Sequence, residues 1–152
     1  EDSTPTTIFT NHSDEILSLQ GEGLATTQAP PNSGNWIGSL IAVNPVSGYW
    51  IDVSQPTTLS VTGTLIGNPV YTLHSGHNLI SFPGKISIPV NQAIGQEYEG
   101  IIVGILAEAE ATIYHEELGW LGSLETFKPT KAYWVNVQSE FDINFQFNGV
   151  IL

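Results

Sequence analysis

Residues 36–53 read WIGSLIAVNPVSGYWIDV, and residues 120–137 read WLGSLETFKPTKAYWVNV. At one constant offset the two stretches share Trp36/Trp120, Gly38/Gly122, Ser39/Ser123, Leu40/Leu124, Pro45/Pro129, Tyr49/Tyr133, Trp50/Trp134 and Val53/Val137. Ile37/Leu121 and Ile51/Val135 are conservative pairs. Upstream, LQGEGLAT (19–26) lies over ILAEAEAT (105–112), with a longer, Pro- and Asn-rich loop, TTQAPPNSGN, before the first Trp. Self-similarity at a fixed period is the mark of a repeated structural unit. The sequence therefore predicts two homologous lobes, residues 1–66 and 67–152, from an internal duplication.

The two copies are unequal. The second opens with GHNLISFPGKISIPVNQAIG (76–95), whereas the first begins at TPTTIFTNHSDEIL, with Ile8 against Ile94. The apolar run Asn78–Phe82 has no counterpart in the first copy. The chain reads as cut from a longer array, or permuted so that another segment fills the gap. Two suppliers are expected for that gap. The C-terminal FDINFQFNGVIL (141–152) can fold back with Phe145 and Phe147 toward the core, or a neighbouring subunit can donate a strand, because an unpaired sheet edge recruits one. The polar EDSTPTTIFT is expected to serve as an arm reaching a neighbour.

Most segments read as strands. NLISF (78–82), ATIYH (111–115), AYWVNV (132–137), FDINFQF (141–147) and TTLSVTGTLI (57–66) are short and rich in β-branched or aromatic residues. Gly, Pro, Asn or Ser bound them, as strands require. GIIVGILAEAEA (100–111) has helical propensity in its Glu-Ala tail. The aligned LQGEGLAT carries two Gly, so a strand fits both copies, with Glu22 and Leu24 alternating. IPVNQAIG (88–95) suits one helical turn with Pro89 near its start. With 15 Gly and nine Pro among such strands, the expected class is all-β, sandwich or barrel-like.

Composition narrows the function. Three Lys, no Arg and 15 Asp plus Glu give a net charge of −12 over 152 residues. Phosphate neutralisation needs clustered cations, so nucleic acid is excluded as the expected partner, and an anionic membrane surface with it. No apolar run reaches the ~20 residues of a spanning helix. The absence of Cys removes disulfides, thiol nucleophiles and thiolate metal sites. With no Met either, the chain reads as a processed product or a fragment.

The pattern GHNLISFPG, then a Gly- and Ile-rich strand, then GWLGSLETFKPTKAYWVNV resembles a repeat module of marine phage virion proteins and of secreted surface proteins of marine bacteria. Its form there is roughly G-x-N-L-I-S-x-P, followed by G-W-x-G-S-L and a closing G-Y-W. The resemblance covers nearly all of the second copy and about Ile16 to Gly63 of the first. Ala132 stands where the module has Gly before Tyr-Trp, while Gly48 keeps it. The resemblance implies an extracellular, non-enzymatic structural role and carries over no catalytic, cofactor or metal residue.

Four sets of residues bear on chemistry. Neighbours in a strand face opposite sides, so in each of the pairs Tyr49/Trp50 and Tyr133/Trp134 one ring faces the core and the other can stack on a sugar or make a contact. The carboxylates Glu97, Glu99, Glu108, Glu110, Glu116 and Glu117 read mainly as a solvated face. The i, i+2 spacing of Glu108 and Glu110 would put both on one strand face, as an acid–base pair needs. Only Glu22/Glu108 repeats, however. His12, His74, His77 and His115 are dispersed, and a zinc site needs three or four ligands. The open edge of the first copy is the last set. The expectation is a non-enzymatic structural protein on the outside of a virion, a capsid decoration or fibre component. Its expected partners are other copies of itself or a major capsid or surface protein, through β-rich contacts. A carbohydrate-binding or adhesion module is the alternative, with a glycan as partner.

Overall fold

A computed structural model describes residues 2–61, 63–64 and 66–152. The chain divides into two compact units, Glu1–Thr64 and Leu65–Leu152, each built mainly of strands. The class is all-β.

The first unit starts with a short helix, α1 (Pro5–Ile8), capped by the Thr4 side chain, with Pro at its first position. Four strands follow: β1 (Ile16–Gln20), β2 (Ala25–Gln28), β3 (Trp36–Gly38) and β4 (Trp50–Val53). They form one antiparallel sheet in the order β3-β2-β1-β4. Its core is small, made of Phe9, Ile16, Leu19 and Leu40, with Trp36 and Tyr49 packed against it. Pro5 and Phe9 are buried, so the N-terminal segment is a fixed part of this unit rather than a free arm. Apolar residues at Ile8 and Phe9 pull it down.

The second unit holds β5 (Tyr71–Leu73), β6 (Gly76–Ser81), β7 (Ile88–Pro89) and α2 (Val90–Ala93). These are followed by β8 (Ile102–Leu106), β9 (Ala111–His115), β10 (Gly119–Gly122), β11 (Thr126–Phe127), β12 (Ala132–Val137) and β13 (Ile143–Phe145). The main sheet runs β10-β9-β8-β12-β6, and two ribbons, β11-β7 and β13-β5, accompany it. Most of its aromatic rings form one cluster. Phe127 meets Phe82, Tyr133 and Phe147, and Phe147 also meets Tyr71 and Phe145. Among the described residues, every other hydrophobic side chain buried in the core lies in this unit.

Strand for strand, β3-β2-β1-β4 runs in the same order as β10-β9-β8-β12, and the registers agree. Leu19 faces Thr26 and Ile51, as Ile105 faces Thr112 and Val135. Both ladders carry a register shift at the same place, next to Ile16 in one and Ile102 in the other. The motif W-x-G-S-L has the same geometry twice. The Ala25 amide donates to Ser39 Oγ and the Ala111 amide to Ser123 Oγ, both at 3.2 Å. Leu40 and Leu124, both buried, donate back to the carbonyls of Ala25 and Ala111. A Cβ on Gly38 or Gly122 would run into those same carbonyl oxygens, and this close approach is why glycine stands there.

Several expectations are corrected. Gly21–Leu24 and Ala107–Glu110 are hairpin turns closed by 2.8 Å bonds, not strand. A left-handed residue, Gly23 or Ala109, sits third in each turn. Glu108 and Glu110 therefore do not share a strand face. They pair instead with Lys131 and Lys128 in exposed contacts of 3.5 and 3.2 Å, worth about 0–1 kcal/mol each. The C-terminal segment does bury Phe145 and Phe147, but β13 pairs with β5 inside the second unit and so does not fill the gap in the first. No strand forms over the described part of 57–66, and Thr62 and Leu65 lie outside the described residues.

Burial pushes the Tyr71 hydroxyl up from 10.0 to about 12, and burial first moves Tyr133 in the same direction. The unfolded chain ionises first, so it binds fewer protons than the fold above pH 10. The stability is fully present below about pH 10 and falls as pH rises toward about 12, by roughly 2–3 kcal/mol for Tyr71. Denaturant unfolding across that window checks this, and Tyr71→Phe is expected to flatten the slope.

Candidate interaction surface

In both Tyr-Trp pairs the tyrosine turns inward and the tryptophan outward. Tyr133 is 1% exposed and packs edge-on against Phe127. Tyr49 is half-buried against the first unit's core. Each phenol oxygen accepts a 2.7 Å bond from a backbone amide five residues upstream, Asn44 or Lys128. Each ring thus staples its loop to the sheet, and neither tyrosine is a stacking surface. Trp50 is 46% exposed and Trp134 half-buried. Trp50 shares the outer face with Gln20, Ser18 and Asp52 by register. Trp134 shares it with Leu79, Leu106, Asn136 and His77.

The two units differ most on the inward row. In β12, Val135 and Val137 are 0% and 2% exposed. Their register counterparts in β4, Ile51 and Val53, face the buried Leu19 and Ile16, yet are 42% and 39% exposed. Burying an aliphatic side chain is worth about 1.5–3 kcal/mol, so this is a large apolar opening for a small unit. The cause is topological. In the second unit β6 pairs along the whole of β12, from Ala132↔Ser81 to Val137↔Gly76, and the β5-β13 ribbon completes the core. In the first, β4 is the last strand of its sheet. Its outer amides and carbonyls have no ladder among the described residues. Leu59 and Val61, matching Ile143 and Phe145 of β13 by the repeat offset, are 37% and 59% exposed.

The sequence pointed to the tryptophans but not to Ile51 and Val53. The missing counterpart of Asn78–Phe82 was the signal that could have found them.

Other candidates are plainer. A hollow of about 310 Å³ in the second unit is lined by Val90, Glu99, Thr112, Trp120, Leu124 and Glu125 among others. Trp120 Nε1 is buried there with no acceptor, and the Tyr114 hydroxyl donates to Glu99 at 3.1 Å. His12 bonds Glu15 at 2.8 Å and His74 bonds the Ser75 carbonyl. Among the described residues no three His, Asp or Glu side chains gather as a metal site would need. No described helix is long and apolar enough to cross a membrane.

Comparison with protein-family models, with curated proteins and with solved structures returns no match.

Proposed function

We infer that this chain is a non-enzymatic structural protein built from two copies of one β unit. It works on the outside of a particle, as a virion decoration or fibre component, and joins its neighbours through strand contacts. The observation that carries the reading is the open edge of β4 beside an apolar inward row, Ile51 and Val53. Proteins ordinarily cover, charge or twist such an edge to prevent pairing. Here three of its four residues are apolar, with Asp52 its one charge, in a chain of net charge −12. In salty water self-repulsion is screened, which leaves hydrophobic burial and backbone pairing as the driving terms.

The test is rebinding to particles from the source, stripped and then incubated with purified chain, and read by immunogold electron microscopy. A regular array is expected. Ile51→Lys, a substitution on an exposed side chain, is expected to weaken rebinding at least about tenfold with the circular dichroism unchanged. A scattered label, insensitive to Ile51→Lys, would overturn the reading. The outward Trp50 and Trp134 support a glycan-binding alternative. That alternative gains if sugars quench tryptophan emission and Trp50→Ala or Trp134→Ala abolishes the quenching.

A further inference from the structure

We propose that the hollow of the second unit, between α2 and the β9–β10 hairpin, binds one neutral sugar ring through Trp120, Glu99 and Glu125. The inference goes beyond the assembly reading and does not rest on it. It also gives a glycan a different place from the outward Trp50 and Trp134.

The hollow measures about 310 Å³, and all of its walls belong to the second unit. That is the small end of the range for ligand clefts, the size for a single ring rather than a chain. Helix α2 contributes Val90 and Asn91, β9 contributes Thr112, and β10 contributes Trp120. Register pairs Trp120 with Tyr114, and the two rings meet at 5.5 Å and 64°. The first unit treats the matching place differently. The short turn after its helix begins at Phe9, whose carbonyl accepts from the His12 amide. In the second unit that turn begins at Gly95, whose carbonyl accepts from the Tyr98 amide. Phe9 is buried, with its ring 5.9 Å from Trp36, the counterpart of Trp120. Gln28 pairs with Trp36 as Tyr114 pairs with Trp120. Its Nε2 donates to the Ser13 and Ile16 carbonyls, and its Oε1 accepts from the Gly34 amide. The first unit thus closes the space beside its tryptophan with groups of its own, and the second leaves a hollow there.

The polar groups in these walls call for a ligand that both donates and accepts. An ionised carboxylate only accepts, and an indole N–H only donates. Glu99 accepts from the Tyr114 hydroxyl at 3.1 Å, and neither it nor Glu125 forms an ion pair among the described residues. Trp120 Nε1 is buried with no acceptor among the described residues, and a buried donor left unmet is costly. A hydroxyl accepts from an indole and donates to a carboxylate at once. A pyranose carries several hydroxyls on its rim and an apolar C–H face that suits an aromatic ring. An organic cation would suit the carboxylates but leave the indole unmet, because an ammonium group has no acceptor. An anionic sugar fits worse still. Among the described residues no lysine or histidine lines the hollow, and the chain carries −12.

The probes are the methyl pyranosides of glucose, galactose, mannose and N-acetylglucosamine, added to the intact chain and followed by saturation-transfer NMR. At least one should bind, one per chain, with a Kd on the order of 1 mM. Glucuronic and galacturonic acids should bind at least about tenfold more weakly than the best of the four. Glu125→Arg alters an exposed side chain. It should weaken binding at least about tenfold with the circular dichroism unchanged. Trp120→Phe, which removes the N–H, should weaken it likewise, and Trp50→Ala should leave it unaltered. Should Trp120→Phe disturb the fold, Glu125→Arg alone decides. Saturation transfer to none of the four sugars overturns the proposal. So does binding that survives Glu125→Arg, or binding lost in Trp50→Ala, which would put the sugar on the outer face of the first unit. Tighter binding of cadaverine than of every sugar also overturns it and makes the hollow a cation site. None of these results touches the assembly reading, which stands or falls on particle rebinding and Ile51→Lys.

Discussion

Gly122→Ala is expected to unfold the second unit at ordinary temperature, or to cost it at least about 3 kcal/mol. A Cβ there would run into the Ala111 carbonyl oxygen and lie 2.7 Å from Thr112 Cα. That carbonyl also accepts the bond from the buried Leu124. The backbone of β9 would have to retreat, and with it the ladder to β8 that holds Ile105 in the core. Gly38→Ala repeats the insult in the first unit, where the Cβ would lie 2.6 Å from Thr26 Cα. That unit buries far less, so the same change should leave it unfolded while the aromatic core of the second persists. Near-ultraviolet circular dichroism with residue-resolved amide exchange separates the two outcomes. Equal, small effects at both positions would show that the close approach of the strands is not required.

Phe127→Ala should lower the stability of the second unit by about 3–5 kcal/mol, the range for a buried aromatic. The ring is fully buried, with Tyr133 at 4.7 Å, Phe147 at 4.9 Å and Phe82 at 5.6 Å between centroids. Its loss leaves a cavity and removes three ring contacts, each worth about 0.5–1.5 kcal/mol beyond burial. Because the rings share one cluster, Phe127→Ala and Phe147→Ala should not add, and a double-mutant cycle should show a coupling of about 0.5–3 kcal/mol. Denaturant unfolding followed by tyrosine and tryptophan emission measures both values.

Much of this architecture was legible because it rests on local rules. Short apolar and aromatic composition in AYWVNV marked β12, and the structure sets Tyr133, Val135 and Val137 inward. The repeated Trp-x-Gly-Ser-Leu marked equivalent positions in the two units. Strand alternation told that one ring of each Tyr-Trp pair faces the core, without telling which. What the sequence concealed depended on partners far along the chain. Leu59 and Val61 alternate as a strand should, yet β5, the partner of the matching β13, exists only in the second unit. Glu22 and Leu24 also alternate, but Gly23 adopts a left-handed turn that overrides the pattern. The Phe145–Phe147 segment was read correctly as core-seeking and wrongly as a filler for the first unit, because apolar alternation says that a strand is buried and not where. The candidate surface was hidden for a related reason. Ile51 and Val53 are apolar residues at inward positions, and only the missing neighbour exposes them.

The brevity of β4 has its own consequence. It spans four residues, and the β1 ladder beside it carries an irregularity between Ile16 and Ser18. Cross-β stacking needs flat segments of about six or seven residues repeated without a kink. The exposed edge of the first unit is thus too short and bent to nucleate cross-β stacking.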